Sequence, residues 1–114
     1  MDRSQALVEL RDRVKSGRGV PMGRLADIFD CGPVTAEWGN IGKADEGSLD
    51  AARSVHILAL PNRYWRIEEW DGAWTVTIPI DRDVSFEATS EHSPGRAWLI
   101  AILEALIAQE ATRP

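Results

Sequence analysis

Residues 93–109 restrict the fold more than any other stretch, because nearly every side chain there is apolar. Ser93 suits a helix N-cap, where its hydroxyl takes a free backbone N–H, and Pro94 suits the first helical position, where no N–H is missed. The spacing therefore predicts a helix opening at Pro94. Between Ala97 and Ala108 only Glu104 is polar, so this is not an ordinary amphipathic surface helix. At about 100° per residue, Trp98, Leu99, Ile100, Ile102, Leu103, Leu106 and Ile107 sweep an arc of roughly 200°. Ala97, Ala101, Ala105 and Ala108 share the remainder with Glu104, and that side is expected to stay exposed or to meet a partner. The large arc needs cover from a sheet and from one further element. A bilayer needs about 20 apolar residues, and Glu104 interrupts a run that is already shorter.

At 114 residues, 44% hydrophobic and 27% charged, the chain fits one domain spanning 1–114. Residues 1–46 form an N-terminal helical and irregular extension, and 47–110 form the core. A net charge of −5 argues against direct nucleic-acid binding, which relies on a basic patch, and favours basic partners over acidic ones. No positively charged start followed by an apolar run opens the sequence, and the single cysteine, Cys31, cannot staple a fold. A cytoplasmic protein, with neither membrane segment nor cofactor, is expected.

In chain order, residues 1–15 read as a short amphipathic helix with Leu7, Leu10 and Val14 in one stripe, Val8 beside it and Ser16-Gly17 as its stop. It is a candidate for the second cover of the last helix. Residues 22–29 are read as two helical turns using Leu25, Ile28 and Phe29. Residues 32–47 are read as an irregular connection, since Gly32, Gly39, Gly42 and Gly47 crowd it. A second core helix is predicted from an N-cap at Ser48 to a stop at Pro61, with Leu49, Ala52, Val55 and Ala59 in its stripe, widened by Leu58 and Leu60.

The clearest local signal follows. Asp71-Gly72 between alternating segments predicts a hairpin with a two-residue type I′ turn. Counting outward from it pairs Ile67 with Val76 and Trp65 with Ile78 on an apolar face, and Glu68 with Thr75 and Arg66 with Thr77 on a polar face. A three-residue loop at Asp81-Arg82-Asp83 brings Phe86 opposite Ile78, with Val84 and Ala88 on the same face, while Pro79 weakens the ladder near the strand end. The fold class is α+β: an N-terminal helical segment, then helix, three-stranded antiparallel meander and helix, with the helices packed on the sheet.

Few residues here carry chemistry. Trp65, Trp74 and Trp98 read as core, Trp38 as a loop anchor, and Trp70, beside the turn on the polar face, as either cover for a loop or a partner contact. His56 reads as a satisfied or half-exposed helix histidine and His92 as a loop residue, and neither has the spacing of a metal site. Cys31 lacks any nearby pattern of a nucleophile, and residues 16–19 read as a turn, not a phosphate cradle. Glu68, Glu69, Asp71, Asp81, Asp83, Glu87 and Glu91 cluster along the strands and turns, with Arg66 and Arg82 their only basic company. This acidic field is either a solvated sheet face or a docking surface for a basic protein.

The segment Gly47-Ser48-Leu49-Asp50-Ala51-Ala52, Leu60-Pro61, the strand at Tyr64-Trp65-Arg66-Ile67, and residues 93–110 together resemble the phage ABA sandwich domain family. The resemblance covers roughly the last 65 residues and rests mainly on the closing helix. It implies phage or prophage origin and a helix–sheet sandwich, and it supplies no activity and no catalytic residues. The same element order also occurs in double-stranded RNA-binding domains. Those use lysines at the start of the last helix, where this chain has only Arg96, so RNA binding is rejected.

The expected function is that of a non-enzymatic phage accessory protein that binds another protein. In its sharper form it inhibits a host defence complex, such as a CRISPR effector, by occupying a basic nucleic-acid site. Glu68, Trp70, Asp71, Asp83 and Glu87 are the expected contact residues. The alternative is a structural or oligomeric phage protein, a homodimer included, that shares the large arc of the last helix between subunits. An enzyme using Cys31 with His56 or His92 ranks third.

Overall fold

The computed structural model of the protein describes residues 3–19 and 38–112. Within them lie α1 (Arg3–Ser16), α2 (Trp38–Asp45), α3 (Leu49–Ala59), β1 (Arg66–Trp70), β2 (Ala73–Pro79), β3 (Ser85–Ser90) and α4 (Pro94–Ala111). The architecture is α+β: helices pack against a three-stranded antiparallel sheet of order β1-β2-β3. The reading of residues 22–29 as helical turns, and Cys31, lie outside the described residues.

The last helix, α4, is the hub. Ser93 caps it by accepting a hydrogen bond from Arg96 N–H at 3.0 Å, with Pro94 in the first turn. Its large side chains Trp98, Leu99, Ile102 and Leu103 are buried, and the helix lies against β2, β3 and the three other described helices. The expected exposure of its small-residue side is overturned: Ala97, Ala101 and Ala105 are fully buried too. Lacking bulk, the alanines let α1 approach closely, and α1 contributes Leu7, Leu10 and Val14 to the same core. Glu104, the one charged residue in the middle of α4, meets Arg11 Nη1 and Lys15 Nζ of α1, each at 3.4 Å. The large arc is thus filled within one chain, not shared between subunits.

Two helical readings need correction. The connection read as irregular contains α2, because Ile41 and Ala44 are fully buried against α3 and α4. Their burial outweighs the cost of about 1 kcal/mol that each helical glycine carries. In α3 the buried stripe is Ala51, Ala52, Val55, His56 and Ala59, whereas Leu49 and Leu58 face solvent. A histidine at the centre of the stripe turns the helix away from the purely apolar assignment.

Gly47 and Gly95 explain how the α2–α3 turn meets the start of α4. Gly47 has φ +116°, a region unfavourable to other residues, and a Cβ on Gly95 would stand 2.6 Å from the carbonyl carbon of Gly47 and 2.9 Å from the oxygen of Ser48. Arg96 fastens the same junction through its Nε, which donates to the Asp45 carbonyl at 3.0 Å and lies 3.5 Å from Asp45 Oδ1. Burial pushes the Asp45 carboxyl above its usual range; Arg96 opposes that rise and Glu46 adds to it. Desolvation wins because Oδ1 gains no hydrogen bond from the guanidinium.

The sheet follows its expected register. Ile67 pairs with Val76, Glu68 with Thr75, Arg66 with Thr77, and Phe86 with Ile78. Asp71 and Gly72 have φ of 53° and 81°, both positive as a type I′ turn requires. The β1 ladder ends at Arg66–Thr77, one step before the expected Trp65–Ile78 pair, and Val84 lies exposed ahead of β3. Asp81 Oδ1 closes the second turn by accepting from Asp83 N–H at 2.9 Å and Val84 N–H at 3.0 Å.

Gly95→Ala is expected to cost about 3 kcal/mol, since the added methyl meets rigid backbone. Gly72→Ala, with nothing near its Cβ position, should cost only the local strain of about 1 kcal/mol. Urea unfolding midpoints of the two variants measure the difference.

Candidate functional site: the open face of the sheet

Alternation along each strand separates two faces. Ile67, Val76, Ile78, Phe86 and Ala88 turn towards α4, and Arg66, Glu68, Trp70, Thr75, Thr77 and Glu87 turn away from it. On that outward face the β1 and β3 side chains are exposed and the central Thr77 is buried among its strand neighbours. Thr75 and Thr89 join their hydroxyls across the strands at 2.9 Å.

The expected contact residues do not form one cluster. Glu68 and Glu87 project from the open face on either side of β2, and Trp70 stands at its hairpin end, 85% exposed. At that exposure Trp70 packs little against the described residues. Asp71 belongs to the hairpin turn, whereas Asp83 belongs to the opposite turn, roughly 20 Å away along β2. The field is also less uniformly acidic than composition suggests. Arg66 Nε meets Glu68 Oε1 at 2.8 Å, Asp81 is occupied within its turn, and Glu69 lies on the helix-side face opposite Trp74.

Tyr64 escaped the sequence reading. It is 83% exposed, and its place two residues before Arg66 was the available signal, since it continues the parity of Arg66, Glu68 and Trp70. With Arg66, Thr77, Asp83 and Ser85 it lines a shallow depression of about 430 Å³.

The tryptophans read as core divide. Trp98 is buried, Trp74 half-buried and Trp65 36% exposed. Trp65 forms a rim because it precedes the ladder, and its ring packs edge-on against His56 with centroids 4.8 Å apart. Trp38 lies in α2, not in a loop as expected. His56 is buried and uses both ring nitrogens: Nδ1 accepts from Trp98 Nε1–H at 3.1 Å, and Nε2 meets the Arg63 carbonyl at 2.9 Å. These partners fix the neutral tautomer with its proton on Nε2, so neither nitrogen is available to act as a base. The Arg63 side chain in turn donates to the Ile80 carbonyl, tying the α3–β1 loop to the end of β2. His92 is exposed, its backbone N–H bonded to Ser90 Oγ at 3.0 Å. Among the described residues no group of three His, Cys, Asp or Glu side chains is arranged to hold a metal ion, and no helix is long and apolar enough to cross a membrane.

The chain matches no protein-family model, no curated protein and no solved structure.

Burial holds the His56 imidazole below its usual pKa of 6.5, with the hydrogen bond to Arg63 acting in the opposite sense. The unfolded chain takes up this proton first as pH falls. Stability should therefore be complete above about pH 6.5 and decline below it as the unfolded state gains the proton. Asp45, with its raised value, carries the opposite sign and cannot produce this loss. Urea midpoints between pH 8 and pH 5 should fall towards acid, and His56→Phe should flatten that decline.

Proposed function

We propose that the protein is a non-enzymatic binding protein that docks a basic protein partner on the open face of its sheet. The observation that carries this reading is Trp70, a large aromatic ring 85% exposed on a face that none of the described helices covers, beside Glu68 and the Asp71 turn. Tryptophan is among the residues most enriched in binding hot spots. The carboxylates would steer a lysine- and arginine-rich surface towards it.

The resemblance of its closing segment to the phage ABA sandwich domain family supports reading it as a phage or prophage protein that would act in the cytoplasm of a bacterial host. There the sharper form of the proposal is inhibition of a host defence complex of the CRISPR type. The acidic face would occupy a surface that otherwise binds nucleic acid phosphates.

Recovery of a partner from a host lysate, followed by titration of that complex, tests the proposal. Trp70→Ala should weaken binding by about 30-fold, the scale of a hot-spot truncation, while leaving the thermal midpoint nearly unchanged because the ring is 85% exposed. Replacing Glu68, Asp83 and Glu87 together by lysine should abolish salt-sensitive binding. Recovery of no partner, or binding unmoved by either change, would sink the reading.

A further inference from the structure

We propose that β1 is a self-complementary edge through which two copies of the chain join their sheets into one antiparallel six-stranded sheet. The inference needs no basic partner, since it starts from the unpaired backbone of the sheet edge, although Glu68 and Trp70 would serve both surfaces.

Among the described residues the sheet order leaves β1 unpaired on its outer side, and the extensive helix–sheet contacts are those of α4 with β2 and β3. Four of the five β1 residues are exposed. The strand therefore overhangs the described helices, and a second strand can approach without meeting any of them. The two-residue turn makes Trp70–Ala73 a hydrogen-bonded pair, so the backbone groups of Arg66, Glu68 and Trp70 point to β2. Those of Ile67 and Glu69 point outward and await a partner.

Only some registers satisfy both these groups and the charges. Centring a two-fold axis on Ile67 pairs it with the partner's Ile67 as a hydrogen-bonded pair. Arg66 then faces the partner's Glu68, and Glu68 faces the partner's Arg66, in the non-bonded positions where side chains come closest. Tyr64 falls opposite the partner's Trp70, bringing together two aromatic side chains that are 83% and 85% exposed in the single chain. Shifting the axis to Glu68 or to Arg66 sets like charges against each other. Charges on an edge strand usually discourage pairing; here their order along β1 permits one register and opposes its neighbours. The other edge, β3, carries only Glu87 and has no basic residue to answer it.

A five-residue edge buries little area, so a reversible, concentration-dependent dimer is expected. Sedimentation equilibrium over a wide concentration range tests it. Wild type should shift from monomer to dimer, and Arg66→Glu or Glu68→Arg should each weaken association by more than about tenfold. Mixing the two variants should restore it, because the acid-rich β1 of one meets the arginine-rich β1 of the other. The double exchange Arg66→Glu with Glu68→Arg should also associate like wild type. Circular dichroism establishes that each variant is folded, and both positions are exposed enough to tolerate the change. A wild-type chain that stays monomeric at millimolar concentration, a dimer indifferent to the charge reversals, or a mixture no better than its components would overturn the proposal.

Discussion

Everything else in the fold depends on burying α4 on all sides. Full burial of Leu99, Ile102 or Leu103 is worth about 2 kcal/mol each. The partly exposed ion pairs of Glu104 with Arg11 and Lys15 contribute about 1 kcal/mol at most. Apolar burial therefore sets the arrangement, and the ion pairs make the one charged residue in the middle of the helix tolerable. A single sheet face cannot enclose such a helix. The sheet takes one side through β2 and β3, and α1, α2 and α3 take the rest.

One consequence reaches the surface. The described helices gather around α4, and none of them makes extensive contact with the second face of the sheet or the flank of β1. The residues there, Tyr64, Arg66, Glu68, Trp70 and Glu87, are free to meet something outside the chain. The interior contributes in a different way. His56, satisfied by Trp98 and Arg63, locks the α3–β1 loop and so fixes where β1 leaves the body of the domain. A polar network of this kind specifies one arrangement because any other would strand a buried ring nitrogen.

The sheet was legible in the sequence because its rules are local. Asp71-Gly72 dictates the turn, and the turn dictates every pair from Arg66–Thr77 to Trp70–Ala73. The caps at Ser48 and Ser93 were legible for the same reason. What failed was long-range. Nothing local in residues 38–45 reveals that Ile41 will be buried deeply enough to override its neighbouring glycines. Nothing in the alanine side of α4 distinguishes a solvent-facing surface from a close-packed one until α1 is placed on it. For the candidate site, parity placed Glu68, Trp70 and Glu87 on the open face, but it could not show that Asp83 lies at the other end or that Arg66 already engages Glu68. Tyr64, at the start of the expected strand, obeyed the same parity, but the ladder stops at Arg66 and nothing local marked its ring as exposed.

Amide hydrogen exchange followed residue by residue measures the hierarchy most directly. If α4 is the enclosed hub, its amides from Leu99 to Leu106 should exchange only through global unfolding, and those of β2 should be nearly as slow. The outward amides of Ile67 and Glu69 in dilute protein should exchange faster by several orders of magnitude. Protection of α4 no greater than that of β1 would contradict the enclosure of the helix and, with it, the reason the outer sheet face is free.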